Sequence, residues 1–431
     1  MKYVIIGRPA EESSGTAQLR NPDTKWEILS TEKKPIIPSD PGIILEGVFS
    51  TSNFSDADKL QIYIYENNAQ KIVFYGVDSQ VLQIAECLRK KGKDILFVIP
   101  GSKILKDFDL SVSALLHTYL EKQNIQLMLN ESLSVIANIH STLTISTNSG
   151  IHTNADLIIY SATALPGKST AQLSYQPVIQ SQVVAGDILY ENKSVGNQNF
   201  KMSVCHLDKL DLFTGGLSAE ELEEKDIRYK ESIIHAMDQI SDSPEHLQAT
   251  LKITYGLDGK LYGAQIIGEK IDEQIDFFTS LLAKGGTVSE LSDSTPDSTE
   301  SVSLAGKAAL MAENVLNNQV FPIHWDKLER MRMEDDTYLL DVRNRTEFRE
   351  QHIPNARNIP LHDLQSSIYD IPSDKKILVY CSIGVKAVAA ARLLLESGFK
   401  HVYNLNGGFI TYKNAVRTLY ADTLRQFGIL V

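Results

Sequence analysis

The sequence predicts an α/β chain: a parallel βαβ run first, an α+β segment after it, and a compact α/β unit at the end. Three observations carry this. Between residues 71 and 162, apolar runs of strand length alternate with helix-length stretches, the pattern of a parallel sheet with crossover helices. From about residue 200 the pattern changes to paired strands around an Asp-Gly turn. After residue 322, strand and helix alternate once more.

Residues 1 to 32 read strand, loop, helix, strand through "KYVIIG", "TAQLRN" and "KWEILSTE". "PIIPSDPGI" (35–43) is a proline-rich connector with little freedom to be a helix. "KIVFYG" (71–76) is a buried-type strand leading through "VDSQ" into the helix "VLQIAECLRKKG", which Gly92 ends. "DILFVI" (94–99), "SVSALLHTYLEKQN" (111–124) and "IQLMLN" continue the alternation as strand, helix and strand. "SLSVIANIHSTLTISTNSG" is an antiparallel insertion, and "ADLIIYSA" (155–162) returns to the sheet. "HLQATLKITYGLDGKLYGAQIIGE" is a hairpin turning at Asp258-Gly259, with helices "DEQIDFFTSLLAKGG" and "LAGKAALMAENVLNN" (304–318) after it. "LSDSTPDSTESVS" (291–303) is a polar linker, and "FPIHWDKLERM" opens the last unit.

A chain of 431 residues has room for about three domains. Its 43% hydrophobic and 22% charged residues are those of a soluble globular protein, expected in the cytoplasm. A net charge of −12 argues against general nucleic-acid binding but not against small anions. No apolar run approaches the roughly 20 residues of a membrane span, and "MKYVIIG" is too short for a signal peptide. Cys87, Cys205 and Cys381 lie far apart, without CxxC or HExxH, so neither a metal site nor a structural disulfide is expected.

Cys381 follows the apolar strand "ILVY" and precedes a tight loop and a helix of strong formers. Backbone N–H groups of a loop entering a helix converge on an anion, and the helix dipole adds positive potential. Both favour thiolate, so the thiol is expected below the roughly 8.5 of free cysteine. Lys386 adds a cation at the rim, and Gly384 supplies freedom for the turn. Position alone leaves a second reading open, a buried apolar filler.

The surrounding blocks favour the reactive reading. "LLDVRNRTEFREQHIPNARNIPL" (339–361), "VYCSIGVKA" (379–387) and "GFKHVYNLNGGFITYK" (398–413) together resemble the rhodanese-like domain over roughly 322–416. The resemblance implies that Cys381 carries sulfur as a persulfide, cradled by the loop Ser382, Ile383, Gly384, Val385, Lys386 and Ala387. Lys386 stands where the family usually has arginine, a cation without the bidentate fork. Asp341 and Arg343 match a block that organises the fold around the site, while Gln351 and Asn355 replace family glycines at turns. The implied partners are a sulfane-sulfur donor and a nucleophile such as cyanide, a thiol or a carrier protein.

The front half has its own resemblance. "FYGVDSQVLQIAECLRKKGKDILFVIPGSKIL" (74–105) resembles the nucleotide-binding unit of flavin-dependent pyridine nucleotide–disulfide oxidoreductases. "FTGGLSAEEL" (213–222), "ATLKITYGLDGKLYGAQIIG" (249–268) and "IDFFTSLLAKGGTVSEL" (275–291) resemble their dimerisation domain, implying a homodimer. The nearest subgroup is the coenzyme A-disulfide reductases with a C-terminal rhodanese domain. The division implied is a vestigial flavin-domain βαβ unit and connector (1–66), a degenerate NAD-binding-like Rossmann unit with a flavin-domain remnant (67–199), a dimerisation-type domain (200–318) and the rhodanese-like domain (322–431).

Departures from that pattern concern the cofactors. Gly76 persists in the second nucleotide loop, but Asp78 and Val81 occupy the next fingerprint positions, and the following strand ends in Ile99 instead of a ribose-binding acid. In the first loop Glu11 and Glu12 stand where the subgroup has glycines. After "EILSTEK" the chain passes straight to the connector, without the stretch that bears the family's redox cysteine; neither Cys87 nor Cys205 matches it. Gly7, Glu32, Gly76, Gly186 and Asp187 read as remnants of cofactor contacts. FAD, NAD(P)H and CoA are therefore expected to be lost. The leading expectation is a sulfurtransferase or sulfur carrier on a reductase-like scaffold. The alternatives are a flavin- or CoA-dependent persulfide or disulfide reductase, and a non-catalytic binding or regulatory protein.

Overall fold

The computed structural model describes residues 2–5, 47–50, 56–139, 142–161, 201–237, 247–292 and 303–426. The chain divides into two units, Met1–Lys106 with His117–Gly196, and Asp107–Leu116 with Asn197–Val431.

The first unit begins with β1 (Lys2–Ile5), β2 (Val48–Ser50) and α1 (Asp56–Glu66). It continues through β3 (Lys71–Tyr75), α2 (Ser79–Lys90), β4 (Asp94–Ile99), the second half of α3 (Leu110–Lys122), whose residues up to Leu116 belong to the second unit, and β5 (Gln126–Leu129). Strands β6 (Leu133–Ile139), β7 (Thr142–Thr147), β8 (His152–Ala155) and β9 (Leu157–Tyr160) follow. The parallel sheet has the order β2-β9-β3-β4-β5. Ile72, Val73 and Phe74 of β3 and all of β9 are buried, so these strands read as unbroken apolar runs. Helix α2 ends as Gly92 signals: at φ +79° its N–H bonds Arg89 O (2.8 Å), and Lys93 N–H bonds Leu88 O (3.1 Å). That pair of bonds is a Schellman motif.

Strand β1 runs antiparallel to β6, at the edge of a sheet ordered β1-β6-β7-β8; the helix and second strand expected within residues 1–32 lie outside the described residues. The place beside β9 in the parallel sheet is taken by β2.

In the second unit, β10 (Met202–Leu207), β11 (Leu210–Gly216), α4 (Ala219–Glu224) and β12 (Lys230–Met237) lead to the predicted hairpin, β13 (Leu247–Tyr255) and β14 (Leu261–Gly268). Its turn contains Gly259 at φ +81°, where a side chain would be strained. The antiparallel sheet has the order β10-β11-β14-β13-β12. Helices α5 (Asp272–Ala283), α6 (Val288–Ser292) and α7 (Leu304–Leu316) cover it. Phe278, Leu281, Ala308 and Met311 join Leu251, Ile253 and Ile266 in one core. Burying a side chain such as Phe278 contributes about 2 kcal/mol.

The C-terminal domain comprises β15 (Pro322–Ile323), α8 (Trp325–Met331), β16 (Thr337–Asp341), α9 (Arg345–Glu350) and β17 (Arg357–Asn358). After these come β18 (Lys376–Tyr380), α10 (Val385–Glu396), β19 (Val402–Leu405) and α11 (Gly408–Gln426). Its sheet is parallel, ordered β15-β19-β18-β16-β17. The middle strand, β18, delivers the candidate residue.

Candidate active site

Ile377 to Tyr380 are fully buried, which anchors β18 up to the point where Cys381 leaves it. The chain then turns into α10 at Gly384, whose φ of +90° only glycine adopts without strain. No side chain caps α10. Its first N–H groups face sulfur instead: Gly384 N–H donates to Cys381 Sγ at 3.2 Å, and the N–H groups of Ile383, Lys386 and Ala387 act on it too. Cys381 is 1% exposed. Burial pushes its thiol above the ordinary cysteine value, and the four N–H groups only reduce that rise. The expectation of a lowered pKa is thus overturned, because desolvation outweighs the N–H groups and the helix terminus.

The loop rests on the start of α11. Phe409 N–H donates to Cys381 O (2.8 Å) and Ile410 N–H to Ser382 O (3.0 Å). Gly408, at φ +63°, lies so close beneath that a Cβ would meet Cys381 O and Gly384 N at 2.5 Å each. Ser382 Oγ donates to Glu347 Oε1 at 2.6 Å, and Glu347 also closes the capping box of α9 with Asn344. Glu347 and Gly408 are absent from the predicted site. The "NGG" run of the third block was the available signal for the glycine; Glu347 carried one only for its helix cap.

Ile383 is half-buried, Val385 and Lys386 are exposed, and Ala387 is buried beneath the helix. Asp341 and Arg343 are buried as a pair: Arg343 Nη2 donates to Asp341 Oδ2 (2.7 Å) and to Gln351 O (2.7 Å). The Arg343 guanidinium lies 4.2 Å from the centre of the Phe409 ring. The pair thus grips the head of α11 and touches the site through it. Asn355 takes φ +69°, a conformation asparagine tolerates better than most residues.

In the first unit, Gly76 turns at φ +74° after β3. Asp78 fills the N-terminus of α2: Oδ1 accepts from Val81 N–H (2.9 Å), and Oδ2 accepts from Ser161 Oγ. Val81 is fully buried. A carboxylate capping this helix, with Val81 at a fingerprint glycine position, does not fit a dinucleotide pyrophosphate. Ile99 ends β4 and is buried. Cys205 is buried in β10, and Cys87 is half-buried in α2. Gly7, Glu11, Glu12, Glu32, Gly186 and Asp187 lie outside the described residues.

The rhodanese-like domain model matches residues 324–415, and that for pyridine nucleotide-disulphide oxidoreductases matches 71–148. Over 78 residues the chain is 40% identical to the thiosulfate sulfurtransferase GlpE of Coxiella burnetii, covering 18% of this chain and 73% of that protein. The chain belongs to the rhodanese-like family. Its rhodanese-like domain follows a pyridine nucleotide-disulphide oxidoreductase domain. Two solved structures share this arrangement. The reduced Bacillus anthracis CoADR-RHD aligns with a TM-score of 0.73 at 21% identity, over 89% of this chain and 78% of its own. The NAD-dependent persulfide reductase from A. fulgidus aligns with a TM-score of 0.69 at 20% identity, over 88% and 78%. At such identity these two establish fold, and they agree with the predicted class: a Rossmann-like oxidoreductase domain joined to a rhodanese-like one. Among the described residues, no helix is long and apolar enough to cross a membrane.

Proposed function

We propose that the chain is a sulfurtransferase or sulfur carrier acting through Cys381. The observation that carries this reading is a cysteine sulfur bonded by Gly384 N–H at the uncapped start of α10, inside a rhodanese-like domain. The Cys381 thiolate attacks the outer sulfur of a donor such as thiosulfate; the S–S bond to that sulfur breaks as sulfite leaves with the electron pair. A persulfide remains on Cys381. A nucleophile then takes the terminal sulfur and the Cys381 thiolate departs, so the cycle needs no external oxidant. The N–H groups facing Sγ stabilise negative charge on sulfur at both stages, and exposed Lys386 draws anionic donors to the rim.

The front half serves in this reading as a scaffold without dinucleotide chemistry. Asp78, bonded through both carboxylate oxygens at the head of α2, supports that part. The test is Cys381→Ala. It is expected to abolish sulfur transfer from thiosulfate to cyanide and sulfur loading by intact-mass spectrometry, with an unchanged circular dichroism spectrum. Full turnover in that variant would overturn the reading.

A further inference from the structure

The segment that seats the Cys381 loop is itself held by β12 of the antiparallel sheet. Ile233 N–H donates to Asn406 Oδ1 at 2.9 Å, and Asn406 Nδ2 reaches Glu231 O and Oε1 at 3.3 Å each. Glu231 is fixed in turn by buried Lys252 (2.7 Å), which also pairs with Asp109 (2.9 Å). Five residues past Asn406, Thr411 Oγ donates to Gly407 O (3.1 Å). That hydroxyl lies 2.8 Å from Nε2 of His235, whose Nδ1 is 2.7 Å from Thr250 Oγ. In either tautomer of the ring, these two contacts tie Thr411 to β12 and β13.

Between the two anchors lie Gly407 and Gly408, at φ +71° and +63°. Without side chains they have no means of holding this left-handed turn themselves. A Cβ on Gly407 would meet Thr411 Oγ at 2.1 Å and Ile233 Cγ2 at 2.9 Å, so the turn is pressed directly on β12. On its other side, Phe409 and Ile410 bond the carbonyls of Cys381 and Ser382.

We propose that β12 is a positioning element for Cys381: Ile233 through Asn406, and His235 through Thr411, fix the Gly407-Gly408 turn and hence the loop N–H groups around the sulfur. The reactivity of the rhodanese-like domain is then set partly by the domain before it. The proposal rests on the preceding section only in taking Cys381 as the reacting atom.

The experiment is an ultraviolet titration of the Cys381 thiolate in the full chain, read as the difference from Cys381→Ala so that the other cysteines and the tyrosines cancel. Thr411→Val keeps the shape and removes the hydroxyl; Thr411→Ser returns it. Thr411→Val is expected to raise the titration midpoint, lowering the thiolate fraction at fixed pH about threefold, and Thr411→Ser to restore the wild-type curve. A Thr411→Val curve superimposed on wild type, even with a lowered Tm, would make the contact merely structural and overturn the proposal. Should Thr411→Val not fold, Asn406→Ala, which removes the acceptor for Ile233 N–H, is read in the same way. No sulfur transfer is needed for this titration. A wild-type chain that takes no sulfur from thiosulfate therefore refutes the function and leaves the positioning test readable.

Discussion

Cys381 shows how two physical effects compete at one atom. Loop N–H groups favour the thiolate, while burial to 1% exposure favours the thiol, and burial prevails. The strand–loop–helix placement of this cysteine was legible in "ILVYCSIGVKA", because it depends on residues within a dozen positions. Its burial was not, because Gly408 and Phe409, which close the loop from below, come from the start of a later helix. Glu347 was illegible as a site residue for the same reason: it meets Ser382 only through the fold. Gly408→Ala tests this packing. With φ at +63° and backbone atoms 2.5 Å from the new Cβ, it is expected to cost more than about 1 kcal/mol of stability and most of the sulfur-transfer rate. A wild-type Tm with wild-type turnover would contradict the close approach.

Among the elements, α2 holds a carboxylate of its own chain at its N-terminus. Its strand, turn and helix were readable from run lengths and from Gly92, and the Schellman motif agrees. Its N-terminus is capped by Asp78, so Asp78→Ala is expected to lose about 1 kcal/mol, seen as a lower urea midpoint without a change in m. The partner of β1 was beyond sequence reading, since an apolar strand of four residues does not specify which sheet edge it joins. Strand β12 adds a pH dependence. Burial lowers His235 to about 4, below the ordinary histidine value of 6.5. The folded chain holds it neutral, so its contribution is complete above pH 6.5 and is lost as pH falls towards 4. The loss on full protonation is about 3 kcal/mol. His235→Gln is expected to flatten the acid limb of a Tm-against-pH curve between these values; an unchanged limb would assign acid sensitivity elsewhere.

For the whole molecule, the sequence carried the kinds of sheet because each keeps its own periodicity: unbroken apolar strands in the parallel sheets, and a hairpin with an Asp-Gly turn in the antiparallel one. What it did not carry is the bonding of the antiparallel sheet to the Cys381 seat, since Ile233 and Asn406 are 173 positions apart. We expect the purified chain to scatter light as a homodimer and to show no flavin band in visible absorbance. A monomer would remove the role proposed for residues 200–318, and a flavin band would return the front half to redox chemistry.

Helix α10 begins with no side-chain cap, and the sulfur of Cys381 stands in that place. The side chain of Cys381 therefore doubles as the end-stop of one of the domain's helices. Each change of charge or length at that sulfur alters the acceptor offered to the amides of residues 383, 384, 386 and 387. Hydrogen exchange at those four amides becomes a gauge of occupancy, slowing when sulfur is aboard and quickening when Cys381→Ala leaves the helix without its stop.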